Sequence, residues 1–308
     1  VAFACLCLPT SDMMGMTPRD GLKSGVPMLR NFGSRVYMGH PMNHRVAQSE
    51  KGLIYIGNYE GVLEYDGHSW TILKDSGQVF DLDIDREGRI WTSGFRRFGW
   101  FERGEDNQWV YTDLYREIEK FGSAESEFRN VIVDGRVVYV AAHNALFAYD
   151  PEKGVRKVLE GHFIRTLHQM GPLVYAVGAD SKFHTIAADG LVPVEGSDFF
   201  WGENEVVISG ELADGRLAFV TTGNGLWVYD GKQFVHYPDF AKLFPEGCRA
   251  TDIAEASDGR IVISTAAHGL WICEPDGSSA SVINTRSGLP SNTISSVFED
   301  KDGAFWIT

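Results

Sequence analysis

Seven glycines recur along the chain at the close of a short polar turn: Gly52, Gly88, Gly135, Gly171, Gly215, Gly259 and Gly303, at intervals of 36, 47, 36, 44, 44 and 44 residues. Each is followed by a run rich in β-branched and aromatic residues, then a polar break and a third run. The first unit reads Arg45 to Gly52, Leu53-Ile-Tyr-Ile-Gly-Asn58, Gly61-Val-Leu-Glu-Tyr-Asp-Gly67 and Ser69-Trp-Thr-Ile-Leu73; the fifth has Arg216-Leu-Ala-Phe-Val-Thr221 and Gly225-Leu-Trp-Val-Tyr-Asp-Gly231 in the same places. The runs alternate with a period of two residues, which excludes helical solenoids of similar repeat length. One such four-stranded unit cannot cover both of its faces, so copies must stand side by side around an axis. The expectation is an all-β fold, a seven-bladed β-propeller of four-stranded antiparallel blades.

The seventh unit has its first strand (residues 294–299) and part of its second (304–308), and the sequence then stops. This last blade is expected to be incomplete or closed by the N-terminal segment, with Val26–Phe32 and Arg35–Met38 as the strands on offer, in a fragment of a longer protein. Residues 1–23 read as a signal-peptide remnant, apolar from Val1 to Leu8, and a flexible leader; residues 24–308 read as the propeller. A short helix is expected over Asp113 to Phe121. Cys248 and Cys273 read as free thiols rather than a bonded pair, and no Cys-x-x-Cys pair suggests a zinc site.

The composition has 28 basic and 42 acidic residues, a formal charge of −14, which argues against a nucleic-acid surface. No run of about 18 apolar residues is present to span a membrane. No serine-nucleophile elbow, phosphate loop, His-Glu-x-x-His or calcium loop is found. The region is therefore expected to be non-catalytic, with no cofactor and no metal.

Residues Gly288-Leu-Pro-Ser-Asn-Thr-Ile-Ser-Ser-Val-Phe-Glu-Asp-Lys-Asp-Gly-Ala-Phe-Trp-Ile307 resemble the repeat of the two-component regulator propeller family, and Arg89-Ile-Trp-Thr-Ser-Gly94 and Gly225 to Gly231 match other parts of it. The resemblance covers roughly residues 24–308 and is weakest in the third and fourth units. It implies a periplasmic sensing region of a bacterial signalling protein whose output is a kinase, a cyclase or a DNA-binding domain, and it carries over no catalytic residues.

The loops between second and third strands share a face with the loops joining one unit to the next, and the first strand of each unit lines the axis. On that face the candidate ligand-binding residues are Arg45, Asn58, Tyr59, Phe95, Arg96, Arg129, His143, Asn144, Arg165, Trp201, Asn224, Arg249 and His268. Aromatic rings beside amide, imidazole and guanidinium groups suit a sugar, which offers an apolar face and many hydroxyls. A small-molecule partner of oligosaccharide type and a homodimer are the partners weighed; a lyase of the streptogramin type and a protein-interaction scaffold are the alternatives. Trp91, Trp227, Trp271 and Trp306 are expected to pack between blades.

Overall fold

The computed structural model describes residues 3–7 (backbone only), 28–122, 126–178, 180–187 and 190–308. All seven turn glycines sit at positive φ, between +58° and +85°, the left-handed conformation that only glycine adopts without strain. The turns they close join the first and second strands of each unit. Second strands such as Ile90–Gly94 and Ile261–Thr265 are buried at every residue, because a sheet lies against each of their faces. Fourth strands such as Trp70–Leu73, on the outer rim, mix exposed, partly buried and buried residues.

Six sheets are each built from four consecutive strands, spanning 43–73, 79–113, 128–160, 164–193, 206–237 and 250–283; they are numbered here as blades one to six. This corrects the expectation of seven tandem units: the chain folds into six complete blades. The unit around Gly303 supplies two strands only, Val297–Glu299 and Ala304–Ile307. Ala304–Ile307 would present an open edge after its single partner, and an unpaired row of backbone groups is costly. Phe3–Cys7 pairs with that edge and Met28–Phe32 pairs with Phe3–Cys7, so the remaining four-stranded sheet is a composite of both chain ends. Phe3–Cys7, expected from its sequence to belong to the leader, is instead a strand of this sheet; the flexibility expected for the rest of the leader concerns residues outside those described. Residues 34–37 form a short helix rather than a strand, and Tyr115–Glu119 is the helix expected between the second and third units.

Innermost strands do not exchange backbone hydrogen bonds with one another, so side chains satisfy part of their inner edges. Four residues before the turn glycine stand Gln48, Glu211, Glu255 and Glu299. Each accepts a backbone N–H from the preceding sheet: Lys301 at 2.8 Å, Gln169 at 2.7 Å, Ala213 at 3.0 Å and Ser257 at 2.8 Å. Every donor lies two residues before its own turn glycine. The composite sheet is thus fastened to blades six and one by the contact that fastens blades five to four and six to five. Between blades two and three the device differs, with Asp81 accepting from Val131 N–H and Asp83 from Val133 N–H.

Candidate functional site

The innermost strands enclose an axial channel of about 1740 Å³. Their periodicity of two sends alternate side chains into it. The upper end, where strands begin and blades are joined, is basic. Arg45, Arg129, Arg165 and Arg249 line it with His44, His143, Phe80 and Phe163. The Arg129 guanidinium lies 5.3 Å from the Phe80 ring centroid and 2.5 Å from Glu127, while His44 meets the same ring edge-on at 5.6 Å. His143 stands 4.7 Å from Phe163, and Arg165 donates to the Val206 carbonyl. Burial, and next the charge of Arg129, push the His44 imidazole down from its usual pKa. Its Nε2 is buried with no hydrogen-bond partner among the described residues.

Below this vestibule the lining turns acidic. Arg45 extends between Asp81, at 3.7 Å, and Asp252, at 3.9 Å, yet its side chain stays 54% exposed within the channel. Burial opposes its charge, but Asp252, Asp81, Glu211 and Asp83 outweigh that and raise its pKa. Asp252 is oriented by Ser296 Oγ at 2.8 Å and by Val297 N–H at 3.1 Å. Burial pushes the Asp81 carboxyl up to about 6 against the pull of Arg45, and raises Asp83 and Glu211 against the N–H groups they accept. His168 Nε2 lies 2.8 Å from Ser209 Oγ and 3.2 Å from Thr166 Oγ1, and burial depresses its pKa to about 3. Among the described residues no cluster of three His, Cys, Asp or Glu side chains is placed to hold a metal ion.

Of the thirteen candidates, the channel brings together Arg45, Arg129, His143, Arg165 and Arg249. The others lie elsewhere. Asn58 is fully buried, donating from Nδ2 to the His40 carbonyl at 2.6 Å and to Asn43 Oδ1 at 2.6 Å, so it ties an N-terminal loop to blade one. Asn224 bonds Asn204 at 2.9 Å, and the Asn144 carbonyl accepts from Gly161 N–H. The His268 N–H donates to Thr265 Oγ1 in a tight turn. Tyr59 lies 4.6 Å from His40 and is half-exposed; Trp201 is 74% exposed on the rim. Phe95 and Arg96 line a separate cleft.

Sequence reasoning missed His44, Phe80, Asp81, Asp252 and His168. The signal was the alternation of polar residues along the first strands, Asp81-x-Asp83 above all. Trp91 and Trp306 do pack between sheets, 5.4 Å from Tyr149 and 5.7 Å from Tyr65. Trp227 and Trp271 instead meet connecting segments, at Phe199 and Phe244.

Fold and channel together define a β-propeller with a charge-polarised axial cavity. Residues 288–308 match the two component regulator propeller family, as the Gly288 to Ile307 motif leads one to expect. The fold is similar to the extracellular domain described for a hybrid two component system, BT4673 of B. thetaiotaomicron: TM-score 0.64, 14% identity, covering 86% of this chain and 36% of that one. It is also similar to virginiamycin B lyase from Staphylococcus aureus (TM-score 0.63, 12% identity, 86% and 94% covered) and to the WD40 propeller domain of Doa1 (0.61, 14%, 87% and 93%). This chain thus spans about a third of the BT4673 domain's length. No curated protein matches it. Among the described residues no helix is long and apolar enough to cross a membrane.

Proposed function

We propose that this region is the extracytoplasmic, periplasmic ligand-sensing part of a bacterial signal-transduction protein of the two-component type, and that it takes a small carbohydrate-like ligand in the upper vestibule of the channel without transforming it. The observation that carries the reading is the convergence of four arginines with Phe80, Phe163, His44 and His143 at one end of the axis. Guanidinium and imidazole groups can donate to hydroxyl, ring or carboxylate oxygens, and the two phenyl rings can cover a sugar's apolar face. Arg45 supplies a way to register occupancy. Its guanidinium can exchange Asp81 and Asp252 for ligand oxygens, and those two carboxylates stand on blades that are not neighbours. A non-catalytic role is favoured because the deepest imidazole, His168, is engaged by two hydroxyls and kept neutral, a poor general acid at neutral pH.

Thermal unfolding in the presence of neutral and uronate-containing oligosaccharides tests this. A ligand present at about a hundred times its Kd should stabilise the protein by about 2.7 kcal/mol. Arg129→Ala should reduce the shift. A folded protein that no glycan stabilises would overturn the sugar reading, and consumption of a stabilising ligand would indicate a lyase. Capture of a protein partner through the same face would point to a scaffold.

A further inference from the structure

On the face that holds the channel's upper mouth, a second cavity of about 460 Å³ opens beside blade two, lined by Phe95, Arg96, Arg97, Tyr115, Arg116 and Glu119 together with Gly77 and Asp113. Three arginines thus meet at one cleft in a chain of net charge −14. Two are partly neutralised: Arg97 meets Asp113 at 2.7 Å and Arg96 meets Glu119 at 3.3 Å. Both pairs are solvent-exposed, and exposed ion pairs hold their partners weakly. The Arg97 guanidinium can therefore turn to a better acceptor, whereas Arg96 is hydrogen-bonded to Tyr115 as well as to Glu119. Arg116 is exposed and has no ion-pair or hydrogen-bond partner among the described residues. Three guanidinium groups against two carboxylates leave one positive charge.

The apolar component is equally local. Phe95 exposes 49% of its surface at the cleft wall. The next residue, Arg96, is held at φ +52°, a backbone conformation disfavoured for a residue with a side chain. Its N–H donates to the Ser126 carbonyl at 2.7 Å, and Phe95 pairs with Glu127 in an isolated bridge. The turn that carries both side chains is thereby pinned to the segment leading into blade three. Arg96 also lies over the Tyr115 ring, 5.5 Å from its centroid.

We infer that this cleft is a second binding site, distinct from the channel, for a small monoanion with a flat apolar body, of the class of aryl carboxylates. The carboxylate would be held by Arg116 with Arg96 or Arg97 in the forked geometry that guanidinium groups favour, and the ring would lie on Phe95. A volume near 460 Å³ is in the range of small-molecule pockets.

Benzoate is the probe, with benzamide as its neutral counterpart of the same shape, titrated into the full chain by calorimetry and by amide NMR. Benzoate should bind saturably at one site, and benzamide at least tenfold more weakly. Arg116→Ala, a change at an exposed side chain, should weaken benzoate at least tenfold, and Phe95→Ala several-fold. Arg249→Ala, which alters the vestibule, should leave benzoate affinity unchanged. Equal binding of benzamide, indifference to Arg116→Ala, loss of binding in Arg249→Ala, or no saturable benzoate binding would each overturn the proposal. Failure of glycans to bind the vestibule would leave these outcomes as informative as before.

Discussion

Two tryptophans at equivalent places come with a carboxylate, buried at Asp85 and partly buried at Asp300, and the other blades show why. Three residues before the turn glycine, Asp85 accepts from Trp91 Nε1 at 2.8 Å, from Arg89 Nε at 2.6 Å and from the N–H groups of Glu87 and Arg89. Asp300 repeats the arrangement, accepting from Trp306 Nε1 at 2.8 Å and from the N–H groups of Asp302 and Ala304. Blades five and six have Leu212 with Ala218, and Ala256 with Val262, at the same two offsets, so carboxylate and indole are lost together. A buried carboxylate without donors is costly, and so is a buried indole N–H without an acceptor. Asp85→Leu should therefore destabilise the protein by about 2–3 kcal/mol and Trp91→Phe by about 1–2 kcal/mol. Because either change removes the same bond, the double variant should fall short of the sum by about 1 kcal/mol. Urea unfolding of the four proteins decides it, and strictly additive losses would show that the two side chains do not act as a unit.

At the level of strands, the alternating runs and turn glycines announced blades in the sequence, and the positive φ at all seven glycines is the physical reason the signal was so regular. The closure was harder to read. Nothing in Phe3–Cys7 distinguishes an apolar leader from a strand, since both are short apolar runs, and the choice is made by the open edge of Ala304–Ile307 hundreds of residues away. The channel was half legible for a related reason. Offsets from the glycines located Arg129 and Arg165, whereas Asn58 and Asn224 sit in loops of the right type and are consumed by local hydrogen bonds. The clamp four residues before the glycine follows a fixed offset, but its partner lies on another sheet and has no sequence signature of its own. Gln48 is its most telling instance, because it joins blade one to the composite sheet at Lys301, whose Nζ also donates to the Ser49 and Glu50 carbonyls. Gln48→Ala should accelerate native-state hydrogen exchange of amides in Ala304–Ile307 and Met28–Phe32, while those of Val137–Ala142 in blade three keep their rates. Uniform acceleration around the ring would mean that closure is not local to this seam.

The molecule as a whole places groups of opposite titration behaviour along one cavity, and the consequence is measurable. His168, with its pKa depressed by burial to about 3, refuses a proton that the unfolded chain accepts near its ordinary value of 6.5. Its contribution is intact above that ordinary value and is lost as the pH falls toward the folded pKa. Asp81 runs the other way. Raised by burial to about 6 from 3.8, it takes up a proton in the folded state before the unfolded chain does. Folding thus gains from Asp81 as the pH falls from about 6 to 4, and burial pushes Asp83 and Glu211 in the same direction. A fully shifted group contributes a slope of about 1.4 kcal/mol per pH unit in its window. The His168 and Asp81 slopes oppose each other over the same two units, so these two groups together should change the stability of the ring little there. Removing one partner should expose the other. Relative to the unsubstituted protein, His168→Gln should gain stability on acidification from pH 6 to 4.5, and Asp81→Asn should lose it, by about 1 kcal/mol or more in each case. Urea unfolding across that range reads both slopes, and variants that track the unsubstituted protein would show that neither group titrates in the channel as its burial demands.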